Sequence, residues 1–353
     1  EFFVETYAAY RTLNPEISMR VALDQLAMGV NMQLSVRGKS PEMDTWLGRS
    51  CYMLRGGRHI ADIAIVYPIA SLHAAYSFSG PPKAGNRGSA PNMYYAYEGG
   101  IVPTEIDYMN LGETLFRGLR LDYTYLHPEV LSEKCTAENG RLILGNKVNS
   151  EEYRVVFLPG GNTVSAAVMA KLLEFYRRGG AIIATSKLPD RSSEPGRDRE
   201  VREAVREIFG ISSDVPLTTE ITIVPDDFTS YFKNSGENKG RGYFLPQPYY
   251  NIIASVLREV ITVKDVDIQL APMWPVKIGT SYDGALTYIH KFRDGKDIYF
   301  FSNSTSGDIS TKVKLRGEKN LERWDPHTGA AEKTEVIRTI EKGEPVTVVD
   351  VSL

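Results

Sequence analysis

The chain has 353 residues, 42% hydrophobic and 24% charged, which is the length of two or three domains with an ordinary globular composition. A net charge of -3 offers no basic footprint for nucleic acid or for an acidic membrane surface. No apolar run approaches the roughly 20 residues needed to span a bilayer.

Residues 1–6 read as a short apolar strand ending in a carboxylate, with Glu5 near its end. That strand has no lead-in and no initiating Met or signal peptide, and residues 346–353 still read as a strand, so missing sequence upstream is expected. Residues 17–29 form a helix: Ile17, Val21 and Met28 lie near one face, Pro15 precedes it and Gly29 stops it. Residues 30–36 supply a second strand. Strand, helix and parallel strand make one βαβ unit, which cannot bury both faces of its sheet by itself. It is expected to be the last βαβ unit of a β/α barrel. Residues 38–60 are a polar, glycine-rich connector, with a helix at 46–54 ended by Gly56-Gly57.

Residues 61–67 (ADIAIVY) are a continuous apolar strand closed by Pro68. A loop rich in Gly, Pro, Ser and Tyr covers 77–103, and loops of that length are usually functional or partly mobile. A helix at 108–119 follows, then strands at 123–126, 142–144 and 153–158. The helix at 163–178 carries Val164, Val168, Leu172 and Phe175 on one side and ends at Gly179-Gly180. A buried strand (AIIAT, 181–185) and a helix at 200–209 complete the pattern. Buried strands alternating with amphipathic helices predict an α/β fold: a flavodoxin-like, doubly wound parallel sheet resembling that of class I amidotransferases. After a mixed stretch with a helix at 249–260, the period changes to two. Strands at 286–292, 297–302, 309–315, 321–324 and 346–351, with turns at Asp294-Gly295 and Ser306-Gly307, predict a small antiparallel β domain. The expected domains are therefore 1–58, 59–283 and 284–353.

Glu5 is the most informative carboxylate. In a β/α barrel, catalytic groups project from the C-terminal ends of strands. Glycoside cleavage needs two carboxylates, one as acid and one as base or nucleophile. A lone strand-end Glu also serves as a cap or as one half of an ion pair. Pro159-Gly160-Gly161 follows a strand and precedes a helix; such a turn aims N–H groups outward and suits an anion, or is simply a tight turn. It lacks the three spaced glycines of a dinucleotide fingerprint and the Lys-Ser/Thr of a phosphate loop. Amidotransferases place a nucleophilic cysteine on a sharp strand-to-helix turn. The corresponding stretch here is Ser186-Lys187-Leu188-Pro189, with no cysteine and no His–Glu pair downstream, so that activity is not expected. The five histidines show no metal spacing; His127-Pro128-Glu129 is singled out because it ends a strand of the α/β domain, where ligands often sit. Cys51 and Cys135 are too few for a disulfide framework and match no zinc pattern, and they leave the compartment open. Aromatic residues reach 10%, chiefly tyrosine, whose apolar face and polar edge suit sugar rings as well as ordinary packing.

Val4-Glu5-Thr6-Tyr7, the helix with Asp24, and Gly29-Val30-Asn31 look like the last barrel strands of glycoside hydrolase family 106, the α-L-rhamnosidases. Gly56-Gly57-Arg58-His59-Ile60-Ala61-Asp62-Ile63-Ala64 resembles that family's entry into its next domain. Asp122-Tyr123-Thr124-Tyr125 with Leu158-Pro159-Gly160 resembles that domain itself, which is related to amidotransferases and to the trimerisation domain of some β-galactosidases. Ile298-Tyr299-Phe300-Phe301-Ser302-Asn303 followed by Trp324-Asp325-Pro326-His327-Thr328-Gly329 looks like the C-terminal β module. Met32-Gln33-Leu34-Ser35 departs from the pattern in lacking a His and aromatic residues near the sugar. The resemblance implies inverting hydrolysis of terminal α-L-rhamnosides, with Glu5 as general base, its acid partner upstream, and calcium in the parent enzyme's sugar site rather than in this chain. It implies a carbohydrate substrate, no nucleic-acid or membrane partner, and a periplasmic or secreted location, and it leaves a homo-oligomer open. The alternatives are a non-catalytic scaffold or oligomerisation module, and a small-molecule binder using the 77–103 loop with its ligand at the C-terminal edge of the sheet.

Overall fold

The computed structural model describes residues 3–6, 15–35, 40–75, 103, 105–145, 150–212, 231–271 and 284–353. Apart from Pro103 and Glu105, the long glycine- and tyrosine-rich loop and its flanks lie outside the described residues. Packing gathers the chain into two compact units, one formed by Ala61–Thr114 and Tyr123–Ile261, the other by Glu1–Ile60, Leu115–Asp122 and Thr262–Leu353.

The first unit is built on a six-stranded sheet. Its spatial order is Phe232–Ser235, Arg241–Leu245, Ala181–Thr185, Val155–Leu158, Ile63–Val66, Tyr123–Leu126. All neighbours run parallel except the Phe232–Ser235 edge strand, which is antiparallel. The four-residue strand IAIV and the VVFL strand are buried along their whole length, because helices need both faces of a parallel sheet. Val156, Leu158, Ile182, Ala184 and Phe244 share one core with the helices Ala166–Arg177 and Asp198–Phe209. Their strand neighbours Val155, Phe157, Ile183 and Tyr243, which alternation sends to the opposite face, are equally buried.

Two expected elements divide. The strand expected at 153–158 is two strands. Ser150–Tyr153 closes a three-stranded antiparallel sheet with Cys135–Glu138 and Arg141–Gly145, while Val155–Leu158 enters the main sheet. Arg154 sits at the break, its guanidinium 3.1 Å from the Asp62 carboxylate and its N–H on the Asp62 carbonyl. The helix expected from 163 begins at Ala166, because Thr163–Val164 pairs with Arg191–Ser192 and Ser165 is the cap, its hydroxyl accepting from the Val168 N–H. The short helices Ile69–Ala75 and Pro128–Lys134 had no periodic signal to announce them at seven residues each.

In the second unit, Phe3–Thr6 and Met32–Ser35 pair in parallel and are joined through the helix Pro15–Ala27, so this segment is a βαβ unit. The connector holds a longer helix than expected, Pro41–Leu54, whose N-terminus is capped by the Ser40 hydroxyl and begun by Pro41. Its last turn carries no basic residue of its own. Instead Lys291 donates to Leu54 O at 2.6 Å and Arg293 to Tyr52 O at 3.1 Å, placing cations from a strand against the negative helix end. Gly57 lets that strand approach: φ is +69, and a Cβ there would lie 2.7 Å from Phe292 O. Arg58–His59 thereby joins the hairpin Leu286–Arg293/Lys296–Asn303 as its third strand.

That hairpin has two greasy faces with a period of two. Ile289 packs among Leu26, Trp46 and Leu54 of the helical side. Leu286 and Tyr288 pack with Val313, Leu315 and Val349 of a four-stranded antiparallel sheet. The Trp324-Asp325-Pro326-His327-Thr328-Gly329 motif is the turn of a separate hairpin, Leu321–Trp324 with Ala331–Thr334. Asp325 organises it by accepting from the His327 N–H and the Thr328 hydroxyl, each at 2.8 Å, and Arg49 donates to the Pro326 carbonyl at 3.0 Å.

Candidate functional site

Glu5 is the second-last residue of Phe3–Thr6, paired across the sheet with Leu34. In a parallel pair this places it at the edge where the strands end. Its side chain lies outside the described residues, as does Tyr7. The other acidic residues of the family-like motifs are engaged in bracing the fold. Asp24 is ion-paired with Arg117 and accepts from the Ser304 hydroxyl at 3.1 Å. Asp122 meets His59 Nε2 at 2.6 Å, and Asp62 meets Arg154. Asn31 donates to the Leu54 carbonyl at 3.4 Å. Each of these groups is buried or nearly so, and each has a partner that offsets the cost of leaving water.

In the α/β unit, the Pro159-Gly160-Gly161 turn is filled by a carboxyl group of the protein's own, that of Asp107. The Gly160 N–H donates to Asp107 Oδ1 at 3.0 Å, the Thr185 hydroxyl donates to the same oxygen at 2.8 Å, and Ser186 Oγ donates to Oδ2 at 2.7 Å. Gly160 has no room for a side chain, since a Cβ would come 1.9 Å from Glu105 O. Ser186 stands on a sharp turn with φ of 54 just after Ala181–Thr185, and its hydroxyl is spent on Asp107. Burial raises the Asp107 pKa, while Ser186, Gly160 and Thr185 pull the other way. Sequence reasoning missed Asp107, because its three donors come from two strand ends 53 to 79 positions away. Asp107→Asn is expected to keep stability within about 1 kcal/mol, since an amide oxygen still accepts from Gly160 and its NH2 can donate to Ser186. Asp107→Leu orphans three donors and is expected to cost about 3–5 kcal/mol in urea unfolding.

The nearby N-terminus of the Ala166–Arg177 helix is filled in the same way. Glu194 accepts from the Ala166 N–H at 2.8 Å and from the Ser165 and Ser192 hydroxyls. Burial opposes its charge, yet those hydrogen bonds hold its pKa down at about 2. His127 caps Pro128–Lys134, its Nδ1 accepting from the Glu129 N–H at 3.4 Å. His127, Glu129 and Glu194 also line a cavity of about 250 Å³ at the C-terminal edge of the sheet. Burial pushes the Cys135 thiol up to about 11, so it stays protonated, and Cys51 is half-buried and in no disulfide among the described residues. No group of three or more His, Cys, Asp or Glu fit to hold a metal occurs among the described residues. Among those residues no helix is long and apolar enough to cross a membrane.

Residues 90–337 match the family model of the glycoside hydrolases described as alpha-L-rhamnosidase. The chain belongs to that family, glycoside hydrolase family 106. It is similar in fold to a rhamnosidase from Novosphingobium sp. PP1Y, at 17% identity and a TM-score of 0.57, over 97% of this chain and 29% of that one. It is also similar to a catalytic mutant of a GH42 beta-galactosidase from G. stearothermophilus, at 14% identity and a TM-score of 0.52, over 97% and 51%. A beta-galactosidase from Bacillus circulans sp. alkalophilus gives 12% identity and a TM-score of 0.52, over 95% and 52%. The chain thus spans 29% of the rhamnosidase and about half of each galactosidase. Comparison with curated proteins gave no match.

Proposed function

We propose that these residues form the rear portion of an α-L-rhamnosidase, cleaving terminal α-L-rhamnosides or related sugars by two-carboxylate acid–base hydrolysis, with a catalytic site that this chain completes only in part. The observation that carries the reading is the family match over residues 90–337. Glu5, outside the matched stretch, enters through its place at the end of a parallel strand. In this reading it is the general base: its carboxylate takes a proton from water as water attacks the anomeric carbon. A second carboxylic acid, outside this chain and with its carboxyl group roughly 6.5–9.5 Å from that of Glu5, protonates the leaving oxygen. The βαβ unit would be the last of a β/α barrel.

The α/β unit is read as flavodoxin-like and non-catalytic. Its strand order, with Val155–Leu158 between Ile63–Val66 and Ala181–Thr185, supports the winding. The two internal carboxylates, Asp107 in the glycine turn and Glu194 at the helix end, favour a scaffold or assembly role over acyl transfer. Calcium wants six to eight oxygens with several carboxylates among them. The described residues do not fit it, since Asp24, the buried carboxylate of the βαβ helix, is already matched by Arg117, and no step here runs through a metal.

The test is an assay of the 353-residue chain, and of a longer protein that contains it, on aryl α-L-rhamnosides and aryl β-galactosides. Turnover of the rhamnoside by the longer protein alone is the expected result. Rapid Glu5-dependent release of the aryl group by the shorter chain would contradict the incomplete site.

A further inference from the structure

Within the α/β unit, the chain leaves Ile63–Val66 towards Tyr123–Leu126 and leaves Val155–Leu158 towards Ala181–Thr185. The loops beyond these two adjacent strands therefore part, and the crevice between them is where parallel sheets of this winding take ligands. The cavity of about 250 Å³ lies there, lined by Tyr67, Ser71, His127, Glu129 and Glu194 among others. At that size it admits something smaller than the drug-sized ligands that fill pockets of about 300–1,000 Å³.

The lining has a definite chemistry. Among the described residues that line it there is no lysine or arginine, whereas there are two carboxylates. Glu194 is held ionised by its hydrogen bonds and already fills the nearby helix end. A phosphate, a carboxylate or a nucleotide would therefore meet repulsion from these two groups. A neutral ligand rich in hydroxyls meets the opposite situation. Glu129, with a side chain 81% exposed, offers acceptors to its O–H groups. His127 accepts on Nδ1 from the Glu129 N–H at 3.4 Å, which leaves Nε2 as the ring nitrogen that can donate to a ligand. Tyr67 supplies an aromatic wall set edge-on by Tyr108, with centroids 5.4 Å apart at 89°, and by Tyr125 at 6.3 Å and 80°. A ring locked in this way can lie against the C–H face of a sugar with little ordering cost.

We propose that this cavity binds a single neutral monosaccharide, its ring against Tyr67 and its hydroxyls on His127 and Glu129. The site stands on the lining residues; the choice of a sugar among small polyols rests on the glycosidase reading. It takes up the His127-Pro128-Glu129 motif, which the proposed hydrolysis does not use.

The experiment is a calorimetric titration of the 353-residue chain with L-rhamnose, and separately with inorganic phosphate. Saturable rhamnose binding, of the order of millimolar, and no phosphate binding are expected. Glu129→Gln and His127→Asn should each weaken rhamnose about tenfold while leaving Tm in place, since Glu129 is exposed and Asn caps a helix as well as His does. Equal binding by both variants, binding of phosphate, or no heat with any neutral sugar would overturn the site. Rhamnose binding lost in Glu5→Gln but kept in the cavity variants would also overturn it, while leaving the glycosidase reading intact. Cavity binding in a chain whose longer form hydrolyses no glycoside would do the reverse.

Discussion

On the proposed reading, Glu5→Gln in a longer protein that contains this chain is expected to lower kcat on an aryl α-L-rhamnoside by about 10²–10⁴-fold, with KM changed little. The amide matches the carboxylate in shape and keeps an acceptor for the attacking water. It cannot take the proton that the water must lose as its oxygen bonds to carbon, so the loss falls on the chemical step. The acidic limb of the kcat profile, which reports ionisation of the base, should vanish with it. A near-normal rate, or an acidic limb that persists unchanged, would make Glu5 a strand-end carboxylate with a structural role. The matched carboxylates Asp24, Asp62 and Asp122 serve as controls, since each is engaged by Arg117, Arg154 or His59. Their replacement should lower stability before it lowers the rate of the folded fraction.

His290→Leu is expected to cost about 3–5 kcal/mol in the unfolding free energy of the β-rich unit, read from urea titration. The ring is 3% exposed and bridges two carboxylates, Asp265 on Nδ1 at 2.7 Å and Asp297 on Nε2 at 3.0 Å. It stacks on Tyr299 at 4.1 Å between centroids, while Lys319 pairs with Asp297 and Arg316 lies 3.5 Å from Asp265. Leucine fills the space but leaves the buried Asp265 and the half-buried Asp297 without the imidazole between them. Burial opposes the charged imidazole, yet Asp265 and Asp297 outweigh it and raise its pKa above the ordinary 6.5. The hydrogen bond from His290, with Lys319 adding to it against burial, holds Asp297 down at about 2.

The two shifts set the pH dependence. A raised histidine binds its proton more tightly when folded, so its contribution is whole below 6.5 and fades as pH rises through the folded value. A lowered aspartate contributes fully above its ordinary 3.8 and fades as pH falls towards about 2. Stability from this network is therefore greatest between about pH 4 and 6.5, and His290→Leu should flatten its decline on the alkaline side. An unchanged alkaline slope in the variant would remove His290 from the account.

Much of the architecture was legible because apolar patterning is local. The strands at 63–66, 181–185 and 286–293 and the helix at 198–209 declare themselves in runs and stripes that need no knowledge of their neighbours. The breaks were less legible. Nothing in 153–158 marks Arg154 as a corner, because its place depends on Asp62, some ninety positions earlier. Helix Pro41–Leu54 was expected only from residue 46; its missed first turn carries a local signal, the Ser40 cap followed by Pro41. Among site residues, Glu5 and His127 were visible as polar groups at strand ends. Asp107 and Glu194 were not, since an acidic residue in a loop looks alike whether water or a glycine N–H receives it.

From residue order alone came the class of fold elements, the change of period near residue 285 and the ordered motifs that resemble glycoside hydrolase family 106, to which the chain belongs. Only the tertiary structure decided that the glycine turn is filled by Asp107, that the motif carboxylates are braces, and that the residues from 262 onward close over the N-terminal helices through Ile289. The reason is physical: hydrophobic periodicity is written within a few residues, whereas charge pairing and hydrogen-bond satisfaction are settled between partners that only folding brings together.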